Sequence, residues 1–118
     1  MLHQINTYQE LDIFLKKTGW QSFEELVADV FNKHGYTTTI RKKYFDVIAL
    51  KNDKKIYVEC KKHKKHNNSQ LISFVKHHEK KVEKKGETLL ITLNSSPQII
   101  KNTLIIPFHL LNEYLLNN

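Results

Sequence analysis

The sequence predicts an α/β fold with a mixed β-sheet flanked by helices, in the order α-α-β-β-β-α-β-β-α. Apolar residues recur at helical spacing in some segments, whereas others are short β-branched or apolar runs typical of strands. At 118 residues the chain is large enough for one hydrophobic core. We therefore expect a single domain over residues 1–118.

Helix boundaries follow from capping and breaking residues. Thr7-Tyr8-Gln9-Glu10 is a capping box that begins a helix ending near Gly19. A second helix is predicted over roughly 20–34, with Gly35 as its C-cap. Ser69 is expected to cap a third helix that continues to about Lys85. The closing helix is predicted from Pro107 to Leu116.

The strands are predicted from β-branched and apolar runs. Two of them form a central hairpin, and a mostly apolar strand after the third helix is expected to be covered on both faces. The predicted ranges are 36–41, 45–50, 55–61, 88–93 and 104–106.

The central hairpin contains the residues that call for a chemical explanation. If Asn52-Asp53 is a two-residue turn, Asp46 lies directly opposite Glu59, where like charges repel. Lys61 projects from the same face as Glu59 because strand side chains alternate. A divalent cation would convert the repulsion into coordination, and Mg²⁺ prefers oxygen ligands.

A purely structural explanation is also available for this pattern. A half-exposed antiparallel hairpin presents acids and lysines in alternation on its solvent face. The solvent-face explanation fits the charged residues of the turn. It fits Asp46 and Glu59 less well, because Ile48 and Tyr57 lie on the same face as these acids and indicate that the face is covered. A buried carboxylate pair without a partner is costly.

Composition favours a polyanionic partner. The chain has 19 Lys and Arg against 12 Asp and Glu, a formal net charge of +7, which suits nucleic acid or an anionic membrane surface. The lone Cys60 excludes an internal disulfide and fits a reducing cytoplasm, and alternation places it on the core side of its strand. No segment has the length of a membrane span or the pattern of a signal peptide.

Phosphodiester hydrolysis needs the residue types found on the hairpin. The charge at the scissile phosphate must be neutralised and a water molecule activated, and metal ions held by carboxylates do both. A nearby lysine can orient that water or stabilise the transition state. Asp46 and Glu59 are therefore predicted metal ligands, with Lys61 as their electrostatic partner.

The same residues resemble the core of the PD-(D/E)xK nuclease superfamily. The stretch Asp46–Asn52 followed by Glu59-Cys60-Lys61 is similar to the archaeal Holliday junction resolvases, as is the later step Ile106-Pro107-Phe108 into a final helix. The likeness covers about residues 20–116. It implies a restriction-endonuclease-like sheet and a DNA endonuclease that uses Mg²⁺, with Mn²⁺ able to substitute.

Mrr-type restriction nucleases share this layout. Phe23-Glu24 followed by Gly35-Tyr36 resembles their opening helix, and both families carry an acid near its start. The resemblance implies Glu24 as a third acid at the metal, and the Cys60 carbonyl as a further ligand. The structural alternative is that Ser22 and Glu25 form a capping box at the start of this helix.

One departure from the resolvases concerns the segment before Asp46. The resolvases have a longer, Gly/Ser-rich segment there, whereas this chain has the short basic run 41–44. A second basic run, 61–66, begins at the last residue of the predicted site and continues away from it along the chain. The alternative for such runs is a solvated loop, but beside a phosphate-cleaving centre we expect contact with DNA phosphates. The predicted DNA-binding residues are Arg41, Lys42, Lys43, Lys62, Lys64 and Lys65.

The sequence thus predicts a Mg²⁺-dependent DNA endonuclease. The resemblance implies branched four-way junctions as substrate, a role in DNA recombination and repair, and a homodimer with two sites for symmetric cleavage. Two alternatives stay open. One is an Mrr-like restriction endonuclease, which usually carries a separate DNA-reading domain. The other is a nucleic-acid-binding module whose nuclease centre is idle.

Overall fold

The computed structural model describes residues 7–19, 21–42, 45–61, 68–82 and 86–117. These residues form a mixed six-stranded sheet with flanking helices, as predicted. The elements are α1 (Tyr8–Thr18), α2 (Ser22–Lys33), β1 (Thr37–Lys42), β2 (Phe45–Lys51), β3 (Lys54–Lys61), α3 (Asn68–Glu79), β4 (Glu87–Thr92), β5 (Gln98–Ile100), β6 (Thr103–Pro107) and α4 (Phe108–Leu116).

The sheet has an antiparallel half and a parallel half. Its strand order is β1-β2-β3-β4-β6-β5. Strands β1, β2 and β3 form an antiparallel meander, whereas β3, β4 and β6 run parallel, and β5 pairs antiparallel with β6. The two halves meet at β3, the strand that carries Glu59.

The register of the β2–β3 hairpin is the predicted one. Val47 pairs with Val58 and Ile48 pairs with Tyr57, which is the pairing that a two-residue turn at Asn52-Asp53 requires. Asn52 has a φ of 55°, a left-handed conformation that asparagine tolerates better than most residues. The turn therefore sets which residues face each other along both strands.

Two apolar clusters cover the two faces of the sheet. The larger cluster includes Phe23 and Phe31 of α2, Val47 and Val58 of the hairpin, and Cys60, which is buried as predicted. The smaller cluster joins α3 to β4 and β6 and is formed by Leu71, Val75, Leu90 and Ile105. Helix α2 therefore covers one face of the sheet and α3 covers the other.

Capping explains where the first two helices begin and end. Thr7 caps α1 and its side-chain oxygen accepts from the Glu10 N–H at 3.2 Å, as the predicted capping box requires. Helix α2 ends in a Schellman motif, in which the Tyr36 N–H donates to the Phe31 carbonyl at 3.1 Å and Gly35 has a φ of 89°. The rings of Phe31 and Tyr36 also pack edge to face.

The predicted capping box at Ser22 is wrong. Gln21 precedes the first residue of α2, makes no side-chain capping bond and has helical backbone angles. The Ser22 hydroxyl instead donates to the Thr18 carbonyl at 3.3 Å. Because the chain enters α2 directly from the end of α1, the serine bonds backwards and not to the turn that follows it.

The predicted element order lacks one strand, and the predicted third helix is too long. Gln98–Ile100 pairs with β6 as a three-residue edge strand, which is too short for its periodicity to stand out. Helix α3 already includes Asn68, before the predicted cap Ser69, and it ends at Glu79. Residues 80–82 form turns.

Gly86 lies against the aromatic ring of Tyr57. A Cβ atom at position 86 would overlap the Tyr57 ring carbons Cδ2 and Cε2. The absence of a side chain therefore lets the chain entering β4 pass directly over this ring on β3.

No helix in the described part of the chain combines the length and the apolar character needed to cross a membrane.

Candidate active site

Three carboxylates meet where β2 begins and β3 approaches its end. Glu59 on β3 and Glu24 on α2 are buried, with 8% and 5% of their surface exposed, and Asp46 on β2 is half-buried. Glu24 and Glu59 both influence the pKa of Asp46, although α2 and α3 cover opposite faces of the sheet. The three acids predicted as metal ligands therefore lie in one region of the structure, although no three acidic, histidine or cysteine side chains of the described residues converge as a preformed metal cluster.

Asp46 lies at an opening in the sheet. The β1–β2 register passes from Ile40↔Val47 to Lys42↔Phe45, and the β2–β3 register begins at Val47↔Val58. The Cys60 N–H donates to the Asp46 carboxylate at 2.7 Å. This bond turns the Asp46 side chain toward the backbone of β3, where it can reach acids from both sides of the sheet.

The side chain of Phe45 departs from the alternation of β2. Val47 and Ala49 face the larger cluster, and strict alternation would place Phe45 with them. Its ring instead packs on the ring of Tyr57, with centroids 4.5 Å apart, and lies edge-on to His78. The strand therefore twists locally at the position next to Asp46.

Glu24 is paired with a cation from β1. The Arg41 guanidinium donates to the Glu24 carboxylate and forms an ion pair with it. Arg41 has a φ of 54°, which is uncommon for a residue with a side chain. Arg41 lies between the pairs Ile40↔Val47 and Lys42↔Phe45 and is itself not paired with β2 in the ladder. The left-handed backbone and the ion pair with Glu24 therefore occur at the same residue.

Glu59 is paired with a cation from the turn after α3. The Lys81 ammonium lies 3.1 Å from Oε2 of Glu59 and donates a hydrogen bond to it. The same ammonium lies 5.7 Å from the centre of the Phe45 ring. Only 19% of the Lys81 side chain is exposed, so this ion pair is shielded more than a surface pair.

His78 lies beside Glu59 without neutralising it. Nε2 of His78 donates to the Tyr57 carbonyl at 3.1 Å, and Nδ1 lies 3.7 Å from Oε2 of Glu59. Burial is the largest cause that lowers the pKa of His78 from 6.5. The ring is therefore neutral at pH 7, and because Nε2 carries the proton, Nδ1 presents a lone pair to the carboxylate.

Burial makes Asp46 a weak acid for an aspartate. Desolvation is the largest cause, and the hydrogen bond and charge repulsion from Glu59 add to it, so the pKa of Asp46 rises from 3.8 to about 6. The Cys60 N–H and a hydrogen bond with Glu24 act in the opposite direction. A nearby cation would favour the ionised form.

Lys61 lies on the α3 side of the sheet, near the end of β3. Its ammonium lies 4.3 Å from the centre of the Phe74 ring, a cation–π contact. Glu59 also contacts residues on this side, in agreement with the prediction that Glu59 and Lys61 share a face. Asp46 differs because its side chain is drawn toward the backbone of β3.

The predicted DNA-binding residues are only partly described. Arg41 is exposed and paired with Glu24, and Lys42 closes β1. The other predicted contacts, Lys43, Lys62, Lys64 and Lys65, lie outside the described residues.

The donor set fits a hard divalent cation. The three acids offer only carboxylate oxygens, the ligands that Mg²⁺ and Mn²⁺ prefer. Within the described ranges, no three His, Cys, Asp or Glu side chains converge as a preformed metal cluster. Two of the three carboxylates are paired with cations of the protein itself, Glu24 with Arg41 and Glu59 with Lys81.

Comparison with known families supports a nuclease. The family model of the Mrr catalytic domain, described as a restriction endonuclease, matches residues 15–96. The chain belongs to this restriction endonuclease family. The match supports membership of the PD-(D/E)xK superfamily and a DNA endonuclease domain, of a kind that typically uses divalent metal ions. Searches of curated proteins and of solved structures returned no match.

The matched segment contains every candidate catalytic residue: Glu24, Asp46, Glu59 and Lys61. It belongs to the Mrr type, the second of the two resemblances described above.

The sequence did not reveal the roles of Lys81 and His78. In the sequence, Lys81 is one of several lysines in the second half of the predicted third helix, and His78 is one of the positions that share the helical spacing of Leu71, Phe74 and Val75. The signal that could have identified His78 is its inward position on α3, where a buried imidazole needs a hydrogen-bond partner. Lys81 carried no such signal, because it lies in a turn that the sequence assigned to the helix.

Proposed function

We propose that this nuclease domain hydrolyses DNA phosphodiester bonds with Mg²⁺ held by Glu24, Asp46 and Glu59, and that Mn²⁺ can replace Mg²⁺. The observation that carries the proposal is the position of Asp46, whose carboxylate is held by the Cys60 N–H and lies close enough to Glu24 and Glu59 for both to influence its pKa. Carboxylates gathered in a partly buried place repel each other unless a cation or a proton is shared among them. The raised pKa of Asp46 supports a site built for a cation.

The residues of the chain have separate roles in this proposal. Glu24, Asp46 and Glu59 would hold the metal, which neutralises charge at the scissile phosphate and lowers the pKa of a bound water. The Cys60 N–H holds the Asp46 carboxylate in place. Lys61, steadied on the Phe74 ring, would donate to the phosphate or the attacking water.

The substrate has two candidates. The resemblance to the archaeal resolvases favours a four-way junction cut by a homodimer, and the step from β6 through Pro107 into α4 agrees with that resemblance. The Mrr family match favours duplex DNA. We propose the junction as the first substrate to test and duplex as the second. The single nuclease domain over residues 1–118 stays a prediction.

A cleavage assay separates these candidates. Labelled four-way junctions and duplexes built from the same sequences are incubated with Mg²⁺, Mn²⁺ or EDTA. Symmetric paired nicks restricted to the junction would support a resolvase, whereas equal cutting of both substrates would support an Mrr-like nuclease. Cutting that persists in EDTA contradicts metal dependence. Tight binding with no cutting of either DNA would point to an idle nuclease centre.

A further inference from the structure

The buried glutamates of the candidate site are charge-balanced by the chain itself. Arg41 pairs with Glu24, and Lys81 pairs with Glu59 at 3.1 Å. Each cation comes from a segment distant in sequence from its partner, so these pairs form only in the folded protein. The metal-free site therefore contains two positive groups beside the three carboxylates.

We propose that Arg41 and Lys81 are internal counter-ions that a divalent cation displaces, and that the displaced side chains then bind DNA backbone phosphates. This inference rests on the proposed function, because it requires a cation to bind at the three acids. It adds a coupling between cation loading and DNA binding that the family match does not contain.

Electrostatics supports displacement. A divalent ion at Glu59 lies beside an ammonium that already contacts Oε2, and like charges at that separation repel strongly in a shielded site. The same argument applies at Glu24, which is almost fully buried. The lysine and the arginine have flexible stems, so each can turn away without movement of the backbone.

The positions of the two cations favour the surface as their destination. The Arg41 side chain is 47% exposed and belongs to the next-to-last residue of β1. Lys81 belongs to the turn after α3, and its ammonium lies 5.7 Å from the centre of the Phe45 ring, beside the first residue of β2. Phosphates cut at this site would pass within reach of both groups, so the displaced charges would meet the opposite charge.

Thermodynamic linkage makes the coupling reciprocal. If cation binding releases two positive groups for DNA, DNA binding must raise the affinity for the cation by the same factor. The protein would then load its metal preferentially on DNA. An unbound domain would keep its carboxylates neutralised by Arg41 and Lys81.

The first measurement is cation binding without DNA. Isothermal titration calorimetry with Ca²⁺ compares the wild type, Lys81→Met and Arg41→Met. Loss of the competing charge should tighten Ca²⁺ binding roughly threefold or more in each variant, on the scale of a partly shielded ion pair. Lys54→Met is the matched control, because Lys54 pairs with Glu87 at the far end of the hairpin, and its Ca²⁺ affinity should equal that of the wild type. Thermal melts establish that each variant is folded.

The second measurement is the salt dependence of DNA binding. Fluorescence anisotropy with a short duplex gives the slope of log affinity against log salt, whose magnitude is about 0.9 for each phosphate that the protein neutralises. In Ca²⁺, Lys81→Met should reduce this magnitude by about 0.9, the equivalent of one phosphate. In EDTA it should leave the slope unchanged, because Lys81 is held by Glu59. Lys54→Met should have the same effect on the salt slope in Ca²⁺ as in EDTA.

The outcomes separate this inference from the function on which it rests. If the wild type binds no Ca²⁺, or binds it equally well after Glu59→Gln, the proposed metal site fails. If Glu59→Gln abolishes Ca²⁺ binding while Lys81→Met and Arg41→Met leave it unchanged, only the counter-ion inference fails. An equal reduction of the salt slope for Lys81→Met in EDTA and Ca²⁺ also overturns it, because Lys81 would then bind DNA without displacement.

Discussion

The two ends of the β2–β3 hairpin follow different rules. At the tip, pairing continues to Lys51↔Lys54, and Asn52 adopts the left-handed conformation that the turn needs. At the base, the backbone pairing of the two strands ends at Val47↔Val58, and the Asp46 carboxylate accepts a hydrogen bond from the Cys60 N–H. Local sequence thus determines the tip, whereas the base is shaped by charges that arrive from other elements.

The lysine side chains at the two ends of the hairpin also have different kinds of partner. At the tip, Lys51 donates to the carbonyl of His34 at 2.8 Å, and Lys54 lies 3.8 Å from Glu87, which is exposed. At the base, Lys81 meets a buried carboxylate. Exposed pairs contribute little to stability, and shielded ones contribute more in either direction. The ion pair at the base belongs to the candidate site, so changes there should alter function, whereas changes at the tip should leave function unaltered.

The largest expected effect is the loss of cleavage when an acid at the base becomes an amide. Asp46→Asn and Glu59→Gln keep the shape of the side chain but remove a negative ligand. Each should reduce cleavage by at least about a hundredfold, since even outer-shell changes reduce metal-site activity by 10–100-fold. DNA binding measured by anisotropy should persist. Wild-type cleavage rates in either variant would contradict the proposed metal site.

Lys61→Ala should be nearly as damaging. Removal of the ammonium takes away a charged donor that we expect to act on the phosphate or the water, a loss of about a hundredfold in rate. The matched control is Lys55→Ala, because Lys55 lies on the same strand and also over an aromatic ring, 5.0 Å from the centre of Tyr57. If both variants lose equal activity, the effect reflects the strand and not the role of Lys61.

Cleavage should increase with pH through about 6. Asp46 must be ionised to bind a cation, and its pKa is raised to about 6. Below that value the cation competes with a proton, so the apparent cation affinity should fall about tenfold for each pH unit. Initial rates at limiting Mg²⁺, from about pH 5 to about pH 8, provide the measurement. A rate independent of pH in this range would contradict the assignment of Asp46 as a ligand.

Asp46→Asn should make the metal-free protein more stable at alkaline pH. The folded-state pKa lies above 3.8, so the ionised carboxylate destabilises the folded protein above about pH 6, and this penalty disappears below 3.8. After reduction for solvent screening, we expect a gain of about 1–2 kcal/mol at pH 8. Thermal melts in EDTA should show the gain shrinking as the pH falls. An equal gain at every pH would exclude ionisation as its cause.

The smallest effect on function is expected at the tip. Asn52→Ala places a residue with no local hydrogen bond at a φ of 55° and should lower the free energy of unfolding by about 1 kcal/mol. Asn52→Gly is the control, because glycine accepts this conformation. Urea denaturation gives the stability difference. Cleavage by the folded variant should match that of the wild type, and a loss of activity would show that the two ends of the hairpin are coupled.

The sequence predicted the parts of the fold that depend on nearby residues. The hairpin register follows from one turn, so Asn52-Asp53 was sufficient to align Val47 with Val58 and Ile48 with Tyr57. It also places Asp46 and Glu59 at the same end of the hairpin, but the pairing stops at Val47↔Val58 and does not include the predicted Asp46–Glu59 pair. The capping box of α1 was predicted correctly for the same reason, because its donor and acceptor are three residues apart.

What the sequence did not predict depends on tertiary contacts. The partners of Glu24 and Glu59 are chosen by the packing of β1 and of the turn after α3, and nothing near either glutamate in sequence indicates them. Strand β5 forms by pairing with the free edge of β6, because three residues alone have no strong intrinsic preference for a strand. The serine of α2 bonded to Thr18 because the preceding helix ends beside it.

Gly86 has a consequence for which substitutions this domain can accept. A larger residue there would push the Tyr57 ring, and the carbonyl of Tyr57 holds His78, whose ring lies beside Glu59. Each step is a direct contact, so a mutation outside the site can misplace a candidate ligand without removing it. A variant library screened for cleavage should therefore reject replacements at position 86 as it rejects changes to the acids, although glycine has no chemistry to contribute.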